Sequence, residues 1–150
     1  MMVEGKWYPP GTMFPEGEEI RQAVFGRGRD ALDAESWNVL VWHEGQGAAT
    51  GRLWWRDGAF WLGAVAVRKD KRGQGLGDLT LRLLLFKAQT HSARLIRAIA
   101  PMEAVGFFTR LGFRPESEMS GGMQPLLLRG EDLCLDTCQG CAKDCPNRQA

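Results

Sequence analysis

The chain lacks most of the features that would assign it to a class at once. Its charges nearly cancel, 19 Lys plus Arg against 18 Asp plus Glu, so no bulk charge argues for a nucleic-acid or anionic-membrane partner. No apolar run is long enough to span a bilayer, because the longest leucine-rich stretch is interrupted by Arg82 and Lys87. The opening residues MMVEGKWYPP lack the apolar core of a secretion signal, and a cytoplasmic location is expected. Internal repeats and low-complexity segments are absent. Tyrosine is nearly absent, with Tyr8 the single example, and cysteine is missing until position 134.

What remains is the composition of one compact domain. With 44% hydrophobic residues, 150 residues can bury one sizeable core. A domain over residues 1–130 is expected, followed by a cysteine-rich tail over residues 131–150. Residues 15–27 read as an opening helix, with Ile20 and Val24 at helical spacing and Glu16, Glu18 and Glu19 in the first turn, where negative charge suits the dipole. Residues 37–43 read as a strand that turns at Gly45-Gln46-Gly47 into a second strand at 50–56. Asp57-Gly58 is a strong hairpin signal returning the chain as 59–67. Three antiparallel strands are thus predicted ahead of a glycine-rich loop.

A helix is predicted over residues 76–91, with Leu79, Leu83, Leu84, Phe86 and Ala88 buried. A short strand follows at 95–100, then a helix over 102–111 ended by Gly112 at the C′ position, and a closing strand pair at 113–118 and 124–129. The expected fold class is α/β, a mixed, mostly antiparallel central sheet with helices on both faces.

The most informative stretch is VAVRKDKRGQGLG, residues 65–77. Gly73, Gly75 and Gly77 have no Cβ, so the backbone can take φ > 0 and turn its N–H groups toward an anion at the start of the next helix. A P-loop would need Lys and then Ser or Thr after the last glycine, but Asp78 and Leu79 stand there. A dinucleotide fingerprint starting at Gly73 would need its third glycine where Asp78 sits, and its strand would end nearer the first glycine. The arginine-x-x-glycine-x-glycine run formed by Arg72, Gly73, Gln74, Gly75, Leu76 and Gly77 resembles the pyrophosphate loop of the GCN5-related N-acetyltransferase (GNAT) superfamily. AVGFFTRLGF, residues 104–113, is similar to that superfamily's later helix, and residues 21–25 and GRLWW are similar to its N-terminal half. The resemblance covers roughly residues 15–130.

The resemblance implies a mechanism. Val65, Ala66 and Val67 match the strand whose backbone holds the pantetheine arm of coenzyme A, and residues 72–77 match the loop that holds its pyrophosphate. That strand would splay from residues 95–100, with the cofactor in the gap. A backbone N–H near Val65 or Val67 would polarise the thioester while an amine attacks directly. The superfamily often places a tyrosine acid where this chain has Phe108, and an asparagine where it has Pro101. Coenzyme A leaves tolerably as the thiolate, so transfer without an acid is chemically feasible. Candidate general bases are Glu103, which opens the later helix, and His43, which ends a strand; a solvated polar role is the stronger reading of each, and base action through water is equally compatible with the sequence.

Arg27, Arg29, Arg68, Lys69, Lys71 and Arg110 are the cations available to a 3′-phosphate, Arg110 first because its helix lies near the cofactor in the superfamily. Trp54, Trp55 and Trp61 sit on adjoining strands, and cross-strand packing, with Trp55 inward and Trp54 outward, explains them without a ligand.

The tail carries Cys134, Cys138, Cys141 and Cys145, the last followed by Pro146. Four close thiols in a cytosolic chain read as metal ligands, either zinc or an iron–sulfur cluster, although the spacings match neither standard motif; reduced thiols or disulfides are the plain alternative. The expected function is an N-acetyltransferase moving an acetyl or acyl group from acyl-CoA to a primary amine by direct attack, with acetyl-CoA as co-substrate. The rival is a non-catalytic acyl-CoA-binding or sensor module bearing a metal-binding tail. Expected partners are a small-molecule amine or a protein amino group, with a homodimer allowed and neither nucleic acid nor membrane.

Overall fold

The computed structural model describes residues 2–133. Among them, seven strands and three α-helices run in the order β1 (Val3–Tyr8), α1 (Pro15–Phe25), β2 (Ser36–His43), β3 (Gln46–Arg56), β4 (Ala59–Val67), α2 (Leu76–Thr90), β5 (Leu95–Pro101), α3 (Val105–Thr109), β6 (Arg114–Pro115) and β7 (Met123–Arg129). The sheet order is β1-β2-β3-β4-β5-β7-β6. Its β1/β2, β2/β3, β5/β7 and β6/β7 ladders are antiparallel and its β4/β5 ladder is parallel, as the expected mixed class requires. No helix among the described residues is long and apolar enough to cross a membrane. The described residues pack as two compact units, one of residues 2–55 and 62–84, the other of residues 56–61 and 85–133.

In the first unit, β2 and β3 are joined by Glu44 and Gly45, with φ of 55° and 76°. These are the two left-handed positions of a type I′ turn, whose twist suits a hairpin. The turn therefore falls earlier than residues 45–47. Gln46 already pairs with His43, and Gly47 lies inside a strand of 11 residues. A register shift between Val41 and Trp42 absorbs the extra residue. β1, which pairs along β2 from Val3↔His43 to Tyr8↔Asn38, is a strand the sequence did not announce. It carries Glu4, Gly5 and Lys6, all exposed, because a strand at the sheet edge needs little apolar patterning.

Helices cover both faces of this unit. Leu40 and Ala66 pack with Phe14 and Ile20 of the α1 side, and Tyr8, Val24 and Trp42 close the cluster. Val41, Ala48, Ala49 and Val67 point the other way and pack with Leu76, Leu79 and Leu83 of α2. Leu40 and Val41 are neighbours facing opposite layers, the period of a strand buried on both faces. Each fully buried large apolar side chain contributes about 1.5–3 kcal/mol. Close approach is possible at Gly51, where a Cβ would stand 2.8 Å from Leu84 Cδ1 and 3.2 Å from Thr80 Cγ2. α1 starts at Pro15 and ends at Gly26, whose φ of 75° stops it short of Arg27.

The buried stripe of α2 is Leu76, Thr80, Leu81, Leu84, Leu85 and Ala88, a clean 3.6-residue repeat. Phe86, expected inside, is 56% exposed, because that repeat turns it outward.

A polar network ties α1, the 3₁₀ turn Ala31–Ala34, β2 and β3 together. Arg21, only 2% exposed, donates to both Asp33 oxygens at 3.0 and 2.8 Å and to Asn38 Oδ1 at 2.6 Å. Arg52 forks onto the two oxygens of Asp30 at 2.6 and 2.9 Å.

In the second unit, β5 pairs with β7 from Leu95↔Arg129 to Pro101↔Met123, and the first residues of β4 run parallel to β5 at Phe60↔Ile96 and Trp61↔Arg97. Asp57 and Gly58, at φ 53° and 76°, form the expected type I′ turn before β4. The helix expected over 102–111 is a 3₁₀ turn Met102–Ala104 followed by α3. It ends in a Schellman motif: the Gly112 N–H donates to Thr109 O, the Phe113 N–H donates to Phe108 O, and the Phe108 and Phe113 rings meet edge-on at 5.3 Å. The strand expected at 113–118 shrinks to Arg114–Pro115, since Pro115 offers no ladder donor. Leu133, 1% exposed, extends the packed chain past residue 130.

Candidate functional site

The loop between β4 and α2 folds as a cradle. The Arg68 N–H reaches back to Ala48 O at 2.8 Å, residues Lys69–Lys71 form a 3₁₀ turn, and Arg72 Nε donates to Val67 O at 3.2 Å. Gly73 and Gly75 sit at φ 82° and 78°. Nothing lies within 4 Å of a Cβ built on either, so they are glycines for backbone conformation and not for packing. Gln74 braces the turn through a 3.4 Å bond to Lys71 O.

Gly77 differs from the expectation that it too turns with positive φ. It lies in the first turn of α2, which begins at Leu76. There its N–H joins those of Leu76 and Asp78, donors without an acceptor inside the helix and at the positive end of the dipole. Asp78, the acid in that turn, is held by Arg82 at 2.8 Å, leaving the cradle's own charge positive through Lys69, Lys71 and Arg72. Residues 72–75 are exposed.

β4 leads straight into this loop and carries a distortion of its own. Ala64 has φ 51°, a left-handed non-glycine inside a strand. Such a residue re-aims its peptide groups out of the ladder, as in a β-bulge. After it, Ala66 is buried on the α1 side, Val67 packs on the α2 side, and Val65 Cγ2 lies 3.4 Å from where a Gly51 Cβ would be. His43 is 6% exposed; its Nδ1 stands 3.3 Å from Lys71 Nζ, and its Nε2 is buried without a hydrogen-bond partner among the described residues.

In the second unit, Glu103 is exposed in the 3₁₀ turn after β5 and has no partner among the described residues. Phe108 is 8% exposed through its contact with Phe113. Phe107 is the outward ring of the pair, with the exposed guanidinium of Arg110 above it at 5.2 Å. Ile99 and Met102 are also exposed.

The tryptophans reverse the expected facing: Trp54 lies under Arg52 at 5.5 Å, while Trp55 is 56% exposed. Tyr8 packs on Phe14 with ring centroids 4.8 Å apart. Cys134, Cys138, Cys141 and Cys145 lie outside the described residues, and the described residues contain no cluster of His, Cys, Asp and Glu able to hold a metal. Reading the sequence missed Ala64, because alanine carries no mark of left-handed backbone. It also missed the Lys71–His43 contact, which joins positions 28 residues apart. Asp30 and Asp33 form a capping box around the 3₁₀ turn, each side chain accepting a backbone N–H of the other.

The fold recurs in solved structures. An acyl-CoA N-acyltransferase from Pseudomonas aeruginosa superposes with a TM-score of 0.76 at 19% identity, over 85% of this chain and 99% of that one. The ribosomal-protein-S18-alanine N-acetyltransferase from Escherichia coli gives 0.70 at 17% identity, over 85% and 94%. A GNAT family acetyltransferase from Elizabethkingia anophelis with acetyl-CoA bound gives 0.67 at 14% identity, over 85% and 97%. No curated protein matches the chain. The family model of the acetyltransferase (GNAT) domain matches residues 35–115, more than half of the sequence and all of the stretch from β2 through the cradle to α3. The chain belongs to the GNAT acetyltransferase family and is an acyl-CoA-dependent N-acyltransferase.

Proposed function

We propose that the protein transfers an acetyl or other short acyl group from acyl-CoA to a primary amine, on a small molecule or a protein, by direct attack. The observation that carries this reading is the cradle, two left-handed glycines opening onto unsatisfied N–H groups at the start of α2. The pyrophosphate would rest there. The pantetheine would lie along residues 65–67, and Arg110 would meet the 3′-phosphate beside the α3 residue Phe108. The Elizabethkingia anophelis neighbour carries acetyl-CoA, which suits this assignment.

In the reaction the amine nitrogen forms a bond to the thioester carbon, a backbone N–H of the distorted β4 segment donates to the developing oxyanion, and the C–S bond breaks to release the thiolate. Glu103, exposed and without a partner among the described residues, would take the proton that the ammonium loses, directly or through water. Phe108 offers no proton, so the thiolate leaves unassisted. Measuring acetyl-CoA turnover over a panel of small amines and protein amino groups tests the acceptor class.

The test of the cradle is Gly75→Glu and Gly77→Glu. Both variants are expected to keep the far-ultraviolet circular dichroism of the parent and to lose coenzyme A binding by calorimetry, because a side chain and a negative charge enter the phosphate space. Unchanged affinity in both removes the assignment.

For the tail we propose one tetrathiolate centre through Cys134, Cys138, Cys141 and Cys145, a reading that rests on the clustering of these residues in sequence. Protein purified without oxygen is expected to carry about one centre per chain. Iron with brown absorption marks a cluster and colourless zinc marks a structural site. Neither metal sinks the idea.

A further inference from the structure

We propose that His43 is a positioning residue that sets acyl-CoA affinity by holding Lys71 behind the phosphate cradle. This rests on the cofactor reading above. His43 closes β2 one residue before the Glu44-Gly45 turn, and it is nearly sealed from solvent at 6% exposure. Its polar partner is Lys71, 3.3 Å from Nδ1, and its other nitrogen is buried with none among the described residues. An ammonium has donors and no acceptor, so Nδ1 accepts and the ring proton sits on Nε2. That contact engages the imidazole at Lys71.

Lys71 is where the loop turns into the glycine run. Its N–H donates to Arg68 O at 2.9 Å, its carbonyl receives the Gln74 amide, and Arg72 follows it. The other ties in this stretch, from Gln74 and from Arg72 Nε, are exposed, whereas the histidine tie is partly buried and reaches across to a different strand. A flexible lysine loses rotamer freedom when it meets a phosphate. One already held beside the site loses less, and the saving appears as affinity. Asp70, next to Lys71 in the chain, is paired with Arg68 at 3.6 Å, and Glu44, next to His43, accepts from the Met2 N–H at 3.3 Å. The effect of His43 therefore falls on binding and not on the chemical step.

The experiment compares His43→Leu, His43→Gln and Lys71→Met with the full-length parent. The readouts are KM for acetyl-CoA, kcat, and calorimetric affinity for coenzyme A and for a phosphate-free pantetheine thioester. His43→Leu is expected to raise KM and weaken coenzyme A by roughly tenfold, as loss of a hydrogen bond to a charged group does, with kcat and pantetheine affinity held. His43→Gln, which keeps a side-chain acceptor, is expected to recover most of the loss. Lys71→Met is expected to weaken coenzyme A at least as much as His43→Leu, and the double variant to be no weaker than Lys71→Met alone.

Equal losses for coenzyme A and pantetheine, additive losses in the double variant, or a fall in kcat at unchanged KM each overturn the proposal. If His43→Leu does not fold, Lys71→Met and His43→Gln carry the comparison, because Lys71 is only partly buried. Failure of the parent to bind coenzyme A refutes the cofactor reading itself. Parent binding lost in Gly75→Glu but untouched by His43→Leu and Lys71→Met refutes only the role of His43.

Discussion

Ala64 is the residue whose backbone is least like its neighbours. A left-handed alanine costs roughly 1–2 kcal/mol, and a β-branched residue there costs more. Ala64→Gly is expected to hold or raise the unfolding free energy, while Ala64→Val lowers it by at least about 1 kcal/mol. Urea titration of the three proteins checks the order, and a Val variant as stable as the parent would contradict the strain. Phe108 presents the other single-residue question. In the last turn of α3 it supplies the apolar half of the Schellman contact with Phe113, so a ring is required there and a hydroxyl is not. Phe108→Tyr keeps the ring and restores a phenol. Turnover is expected to rise, by up to ~10² if protonation of the thiolate limits the rate; no gain at unchanged cofactor affinity means that another group already supplies the proton.

These two residues also mark how legible the site was. Gly73 and Gly75 announce themselves because only glycine takes those angles without strain, and the positions hold glycine. Ala64 does the same kind of thing with a residue that looks ordinary in any strand. Trp54 and Trp55 show a third case: alternation says that neighbours face opposite ways, but which of them is covered depends on Arg52 and Gly63, residues that no local pattern connects to them.

Between elements, the Arg21, Asp33, Asn38, Arg52 and Asp30 network joins one helix, one 3₁₀ turn and two strands. The hydrogen bond from Arg52 holds the Asp30 carboxyl below its ordinary value, against an opposing push from burial. For Asp33 burial is the largest single influence and pushes upward. Arg21, the Asp30 N–H and the charge of Arg52 together outweigh it, and the net direction is down. The unfolded chain therefore takes up protons at a higher pH than the folded one does. The stabilisation is complete above the ordinary aspartate value of 3.8 and is lost as pH falls from there through the folded values. Denaturant titrations from neutral to strongly acid pH should show the midpoint dropping in that interval, and less steeply in Asp33→Asn. A midpoint that ignores the substitution would mean that the network does not carry the acid sensitivity.

Elements themselves were read with uneven success, for physical reasons. Pro15 and the apolar run from Leu76 to Ala88 are strong local signals, and α1 and α2 begin where they point, whereas the stop at Gly26 and the outward turn of Phe86 were not read. β1 is held by its partner β2 and hardly by its own composition, so only the ladder reveals it.

At the scale of the whole molecule, the alternation of helices and strands was enough to give a mixed sheet, because each apolar run had one period and one kind of turn on either side. Strand order was not written in any segment. It follows from which ladders close, including the placement of β7 between β5 and β6. The acceptor likewise leaves no mark in a motif, since loops and strand faces choose it.

The Glu44-Gly45 turn bears on the order in which the chain can assemble. Once His43 meets Gln46, the ladder closes outward to Ser36↔Trp54 one short step at a time, and each step encloses only the hairpin already made. β1 must join the same strand by bringing Val3 to His43, closing a loop that holds α1 and everything up to β2. Loop closure costs entropy before contacts repay it, so the β2/β3 hairpin is the natural seed and β1 a late arrival. Faults in the turn would then slow folding, whereas faults in β1 would mainly hasten unfolding.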